Sequence, residues 1–101
     1  VDLRTPAGDV RMPLLGLGTW QSEGDEAARA VRYALEVGYR HVDTATGYGN
    51  EDQVGRGIAD SGVPRDEVFV TTKPPPDAAG RERETLEESL RLLGTDHVDL
   101  W

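Results

Sequence analysis

The sequence contains no cysteine. This absence excludes disulfides, zinc–thiolate sites, iron–sulfur clusters and thiol nucleophiles, and we predict no metal site. It is also compatible with the cytoplasm, where we expect the protein. Basic residues are few, because 11 Lys and Arg stand against 19 Asp and Glu and give a formal net charge of −8. This charge argues against nucleic-acid or anionic-membrane partners, since a phosphate-binding face needs a basic stripe.

Long apolar runs are also absent. No stretch approaches the roughly 20 residues of a membrane span, and the N-terminus has no signal-peptide pattern. With 37% hydrophobic and 30% charged residues, the 101-residue chain suits one small folded domain at most. It begins with Val1 rather than Met, and residues 97–101 have the pattern of a strand that stops without a turn. We therefore expect these residues to be part of a longer protein.

What the sequence does contain is a regular alternation of strand and helix patterns. Residues 1–4 and 10–12 flank a turn signal at 6–9 and predict a hairpin. Later strand patterns begin near residues 14, 41, 68 and 97, at spacings of 27, 27 and 29, and apolar residues recur at helical spacing between them. Strands and helices that alternate in this way are typical of βα units on a parallel sheet.

The first strand is predicted over residues 14–18, a short apolar run. Asn50 is predicted to cap the second helix. Leu86, Leu90 and Leu93 predict a third helix that packs all three leucines inward, and Gly94 is expected to end it.

The repeat length favours a barrel. Eight such units would total about 225 residues, near the ~250 of a (β/α)₈ barrel. We predict a partial TIM barrel: a hairpin over 1–13, then three βα units and a fourth strand over 14–101, all within one domain. The dinucleotide-binding Rossmann fold is the rival. Its glycine fingerprint fails three times, because positions 21, 52 and 60 hold Gln, Asp and Asp where a third glycine is needed.

Several polar residues follow the predicted strands. In a parallel barrel, chemistry collects at the carboxyl ends of the strands. An acid, a phenol and an amine, Asp43, Tyr48 and Lys73, would therefore share one opening. A phenol titrates near 10, and a neighbouring ammonium stabilises the phenolate and makes the group a better proton donor at neutral pH. We predict that Asp43 orients Lys73, which tunes Tyr48 to protonate a carbonyl oxygen under hydride attack, a step worth ~10²–10⁴ in rate.

Taken singly, each of these residues has an ordinary explanation. Asp43 could cap a turn, Tyr48 could be a surface residue of its loop, and Lys73 could be a solvated lysine beyond an apolar strand. Only the combination, together with the surrounding sequence, favours a catalytic set.

The sequence resembles the N-terminal part of the aldo-keto reductase family. The similarity covers nearly the whole chain in the family's order and spacing, and it rests on residues 12–20, 38–45, 48–51, 68–73, 89–94 and 96–100. It implies a (β/α)₈ barrel that uses NADPH to reduce small-molecule aldehydes and ketones to alcohols.

The resemblance also implies roles for particular residues. The family's catalytic Asp, Tyr and Lys match Asp43, Tyr48 and Lys73, whereas its catalytic His would lie after Trp101. His97 lies at the wrong end of the fourth strand to replace it. The family further implies that the nicotinamide lies near Gly18, Thr19, Trp20 and Asp43, and the substrate near Trp20 and Tyr48.

The chain departs from the family pattern after Lys73, where three prolines occupy positions 74–76. These prolines impose an extended path, so we expect a reshaped substrate loop. We also expect residues 1–101 alone to be inactive, since the His and most of the groups that hold the cofactor are absent. A second hypothesis is a non-catalytic barrel remnant or a cofactor-binding regulatory subunit. The sequence has no pattern that indicates an oligomeric state.

Overall fold

The N-terminus forms an antiparallel hairpin in the computed structural model, which describes residues 2–6 and 8–101. Strand β1 spans Asp2–Thr5 and β2 spans Gly8–Arg11, with Asp2 opposite Arg11 and Thr5 opposite Gly8. The predicted hairpin is confirmed, but its turn is shorter than the predicted 6–9, because Gly8 already pairs and takes a φ of 119° there. Val1 and Ala7, which belonged to that prediction, lie outside the described residues.

Three short strands form a parallel sheet in the order β3-β4-β5. They span Leu17–Gly18, His41–Asp43 and Phe69–Thr71. Val42 lies opposite both Leu17 and Val70, and Asp43 lies opposite Gly18 and Thr71, so the three carboxyl ends are level at one edge. The first strand is shorter than the predicted 14–18.

Within residues 2–6 and 8–101, three helices alternate with these strands. They are α1 over Gly24–Glu36, α2 over Glu51–Asp60 and α3 over Glu82–Leu93, and α2 packs between α1 and α3. Single 3₁₀ turns cover Thr46–Tyr48, Arg65–Glu67 and Pro76–Ala78. One apolar core joins helices and strands: Val31, Leu35, Val42, Val54, Ile58, Val68, Val70 and Leu93.

Helix α3 follows its predicted pattern only in part. Its apolar stripe predicted that Leu86, Leu90 and Leu93 all pack inward, but only Leu93 is fully buried. The other two leucines remain partly exposed in a helix that contacts α2 on one side. Gly94 ends the helix at a φ of 68°, in the left-handed conformation that glycine adopts readily, as predicted.

The predicted fourth strand is reduced to one parallel bridge, between Leu100 and Thr71. The Asp99 carboxylate accepts a 2.8 Å hydrogen bond from the Val70 N–H, and Arg65 holds that carboxylate at 3.2 Å. A side chain therefore occupies the position that a backbone carbonyl would fill. The N–H groups of Asp99 and Leu100 both donate to the Val70 carbonyl, at 2.9 and 3.2 Å, and the regular bridge forms at Leu100. Across the described ranges, no helix combines the length and apolarity needed to cross a membrane.

Candidate active site

A threonine follows each strand of the parallel sheet. Thr19, Thr44 and Thr72 are each 1% exposed or less, so the level end of the sheet has a layer of buried hydroxyls. The Thr19 N–H and hydroxyl both donate to the Asp43 carbonyl, at 3.0 and 3.2 Å, and the Thr44 N–H donates to the Thr71 carbonyl at 2.8 Å. These bonds extend the ladder beyond the strands and fix the backbone from which Asp43 and Lys73 project.

The structure brings together the three residues that the sequence singled out. The Lys73 ammonium donates to the Asp43 carboxylate in a close ion pair and to the Thr44 carbonyl at 2.8 Å. Its Nζ also lies 5.4 Å from the centroid of the Tyr48 ring. Both members of the ion pair are nearly half exposed, at 46% for Lys73 and 42% for Asp43. The amine therefore stands between an acid and a phenol at a solvent-open edge.

A single 3₁₀ turn presents Tyr48. The Tyr48 N–H donates to the Ala45 carbonyl at 3.1 Å, and Gly49 at a φ of 71° turns the chain into α2. The Thr46 N–H donates to the Lys73 carbonyl at 3.0 Å, which joins this turn directly to the neighbouring βα unit. The phenol and the amine thus lie on segments that are bonded through their backbones.

The proline tract leaves Lys73 within reach of Asp43. Pro75 is extended, with φ −69° and ψ 156°, and a short 3₁₀ turn follows it. The extended prolines therefore change the path of the backbone after Lys73 and do not prevent its contacts with Asp43 and Thr44.

The residues after β3 divide into open and buried groups. Trp20 is 68% exposed, and the space beside the Gly18 Cα is free of other atoms within 4 Å of where a Cβ would stand. Thr19 between them is buried, and its hydroxyl donates a hydrogen bond to the Asp43 carbonyl. Gly18 and Trp20 can therefore meet a ligand directly, whereas Thr19 lies behind them.

Asn50 does not act as the helix cap that the sequence predicted. It occupies the N-cap position of α2, but its side chain makes no capping bond. Its Nδ2 instead donates to the carbonyls of Thr19 and Ser22, at 2.8 and 2.9 Å, and its Oδ1 accepts from the Thr44 hydroxyl at 3.2 Å. The prediction was wrong because three partners on other segments lie within reach of a buried amide.

Glu51 is a site residue that sequence reasoning missed. It is only 2% exposed, and its two carboxylate oxygens accept from Thr72 and Ser89, at 2.6 and 3.1 Å. A glutamate in the first turn of a helix is typically exposed there, where it favours the helix dipole. The signal that could have found it is its spacing, since Val54 and Ile58 on the buried face of α2 follow it by three and seven residues.

A groove of about 870 Å³ lies at the other end of the sheet. Its walls include Leu14, Leu15 and Tyr39, which precede the amino ends of the strands, together with the hairpin residues Asp2 and Arg11. It is therefore separate from the opening that holds Asp43, Tyr48 and Lys73.

Comparison with known proteins identifies the family. The model of the "Aldo/keto reductase family" matches residues 14–101. The chain belongs to this family. It is 54% identical over 91 residues to glycerol 2-dehydrogenase (NADP(+)) of Saccharomyces cerevisiae, which is 90% of this chain and 29% of that protein. It is 48% identical over 90 residues to methylglyoxal reductase DkgA of Escherichia coli, which is 89% of this chain and 33% of that enzyme.

Solved structures of aldo-keto reductases superimpose closely on the chain. An aldo-keto reductase from a Medee basin deep-sea metagenome matches 95% of the chain and 36% of its own, with 47% identity and a TM-score of 0.85. The Bombyx mori enzyme in complex with NADP matches 97% of the chain and 36% of its own, with 41% identity and a TM-score of 0.84. These neighbours are (β/α)₈ barrels, so the predicted partial barrel is confirmed. The chain spans about a third of the length of the relatives it matches.

Proposed function

We propose that residues 1–101 form the first third of an NADPH-dependent aldo-keto reductase that reduces small aldehydes and ketones in the cytoplasm. The observation that carries the proposal is the Lys73 ammonium, which bonds to the Asp43 carboxylate and lies 5.4 Å from the centre of the Tyr48 ring. The names of the yeast and Escherichia coli relatives, a glycerol dehydrogenase and a methylglyoxal reductase, support carbonyl chemistry of this kind.

In the proposed mechanism, Tyr48 donates a proton to the carbonyl oxygen as negative charge develops there. Lys73 holds its positive charge beside the phenol and favours loss of that proton. Asp43 and the Thr44 carbonyl hold the ammonium in place, because both accept hydrogen bonds from Nζ. NADPH, when bound, supplies the hydride that reduces the carbonyl carbon.

The residues around the opening fit the reactive end of such a cofactor. Gly18 leaves open space beside its backbone, and Trp20 offers an exposed aromatic face within two residues of it. We propose that these two residues and Asp43 border the nicotinamide, with Thr19 supporting them from behind, and that Trp20 and Tyr48 contact the substrate. We assign binding of the NADPH phosphates and adenosine to the rest of the barrel, outside residues 1–101. The family's catalytic His is assigned to the same part.

The test uses the complete reading frame that contains this chain. NADPH oxidation is followed at saturating cofactor with a panel of aldehydes and ketones, for the parent and for Tyr48→Phe. Since Phe keeps the ring but removes the proton, we expect kcat to fall at least about 10²-fold. The Kd for NADPH, measured by fluorescence, should change by less than about twofold, because the proposed role of Tyr48 is proton donation to the substrate.

Tyr33→Phe is the matched control, since Tyr33 is 67% exposed on α1, away from the opening. It should keep the parent kcat. A Tyr48→Phe protein that turns over normally, or a parent that reduces none of the carbonyl compounds in the panel, would remove the proposed function.

A further inference from the structure

The first residue of α2 connects several segments of the site. The Glu51 side chain is buried, and its Oε2 accepts from the Thr72 hydroxyl at 2.6 Å. Its Oε1 accepts from the Ser89 hydroxyl at 3.1 Å, across the interface with α3. One carboxyl group therefore bonds to the end of β5 and to a neighbouring helix.

The hydrogen bonds continue from Ser89 to the Tyr48 turn. The Ser89 Oγ lies 3.2 Å from the Thr46 Oγ1. As a carboxylate, Glu51 can only accept, so the single hydroxyl hydrogen of Ser89 is directed to Glu51. Thr46 must then donate to Ser89. In these two hydrogen bonds each hydroxyl therefore donates towards Glu51, first Thr46 to Ser89 and then Ser89 to Glu51.

The hydrogen-bonded series therefore runs from Thr46 through Ser89 and Glu51 to Thr72, and its two end residues lie next to the proposed proton-handling residues. Thr72 immediately precedes Lys73, and Thr46 lies two residues before Tyr48. The Lys73 side chain is long and 46% exposed, so the position of its ammonium depends on the backbone that carries it as well as on its bond to Asp43. The buried bonds of Thr72 and Thr46 restrain the backbone on both sides of the amine–phenol contact.

We propose that Glu51 is a positioning residue that sets the distance between Lys73 and Tyr48, and so the efficiency of proton donation. This inference rests on the proposed function. Burying a carboxylate is costly, and a leucine of similar size would pack in its place without that desolvation penalty. What leucine does not supply is two oxygens that accept from the end of β5 and from α3 at once, and so join α2 to the βα unit that carries Lys73.

The test compares Glu51→Leu with Glu51→Gln in the complete protein. Leucine fills the volume but releases the Thr72 and Ser89 hydroxyls. We expect kcat to fall by up to about 10²-fold, the cost of a 1 Å misplacement of a catalytic group. The Kd for NADPH should stay within about twofold, since the carboxyl group lies behind the opening rather than in it.

Glutamine should restore most of the activity. Its oxygen can accept from Thr72, its amide can donate to Ser89, and the Ser89 hydroxyl can then donate to Thr46, so each group keeps a partner. Asp52→Leu is the matched control, because Asp52 is the next residue along α2 and is exposed. It should leave kcat unchanged.

A comparison of kcat with the KM of the carbonyl compound separates positioning from mere stability. Proton donation acts in the chemical step, so Glu51→Leu should lower kcat with little change in KM when both are measured well below the melting temperature of the variant. Thr72→Val, which removes one hydroxyl at constant shape, should lower kcat in the same way, and Thr72→Ser should restore it. This pair keeps the inference testable if Glu51→Leu fails to fold.

Two results distinguish failure of the positioning role of Glu51 from failure of the proposed reductase activity. If Glu51→Leu and Thr72→Val only lower the melting temperature and keep the parent kcat and KM, the positioning role is refuted and the proposed reductase activity remains. If the parent is inactive, or Tyr48→Phe keeps its turnover, the reductase itself is refuted and the positioning role with it.

Discussion

Asp43 is the residue on which the position of the Lys73 ammonium depends most directly. It gives Lys73 an anionic partner, whereas the second acceptor, the Thr44 carbonyl, is neutral. A charged partner makes the stronger hydrogen bond of the two. The position of the ammonium beside Tyr48 therefore depends on the carboxylate.

Asp43→Asn should consequently reduce turnover. The amide keeps the shape but removes the charge, and we expect kcat to fall by about 10²-fold, the lower end of the range for general acid catalysis. The measurement is steady-state NADPH oxidation by the complete protein. Asp52→Asn, an exposed carboxylate on α2, provides the comparison and should behave as the parent. Parent-like kcat in Asp43→Asn would mean that the Thr44 carbonyl alone positions the lysine.

For single residues, the sequence predicted which side chains lie together at the strand ends. It did not predict the buried side chains that bond to the backbone and hydroxyls behind them. Asp43 and Lys73 could be placed together because the ends of parallel strands are level. Glu51 could not be assigned its role, since its partners Thr72 and Ser89 lie 21 and 38 residues further along the chain. Asn50 was misjudged for the same reason, because capping is a local pattern and its actual bonds are tertiary.

Among the elements, α2 is the one whose packing tolerates least change. A Cβ at Gly55 would lie 2.3 Å from the Leu93 carbonyl oxygen, and one at Gly57 would lie 2.5 Å from the Ala28 carbonyl oxygen. Both oxygens are backbone atoms and cannot rotate away. The two glycines therefore set how closely α2 approaches α3 and α1.

Gly55→Ala should destabilise the protein although alanine is the better helix former. The propensity gain is about 1 kcal/mol, but overpacking against backbone costs about 1–3 kcal/mol or more. We expect a net decrease in the free energy of unfolding, measured by urea denaturation of the complete protein. Gly47→Ala is the control, since its φ is not positive and a Cβ there meets no atom within 4 Å. A stabilised Gly55→Ala protein would show that α3 moves away freely.

Element types were predicted better than their boundaries. The alternation of strands and helices followed from periodicity, but the strand ends did not. Leu14 and Leu15 have the apolar pattern of a strand, yet they are 83% and 75% exposed and lie before β3 begins. The fourth strand was predicted from residue 97, and the side-chain bond of Asp99 to Val70 delays its pairing, which no local pattern reveals.

For the molecule as a whole, the feature that most affects its behaviour in solution is a parallel sheet with open edges. β3 and β5 are the outer strands in the order β3-β4-β5, and beyond β5 there is one bridge to Leu100. Parallel sheets are normally covered on both faces and closed or flanked by further strands. Leu14, Leu15 and Trp101 are also exposed, at 83%, 75% and 40%.

Residues 1–101 produced alone should therefore self-associate. Unpaired strand edges and exposed apolar side chains favour contacts between copies, so the apparent mass should rise with concentration. Light scattering after size exclusion, across a concentration series, measures this. A monomer that melts sharply and reversibly would contradict the prediction.

The hairpin lies beneath the amino ends of the strands, and the acid, phenol and amine lie at the opposite edge. A reporter group attached to the hairpin is therefore remote from the site of the proposed reaction. Because this chain has no native thiol, Asp9→Cys would create a unique attachment point within it, on an exposed residue. A dye or surface tether coupled there would leave the opening around Asp43, Tyr48 and Lys73 facing the solution, which suits immobilised assays of the proposed cofactor and carbonyl binding.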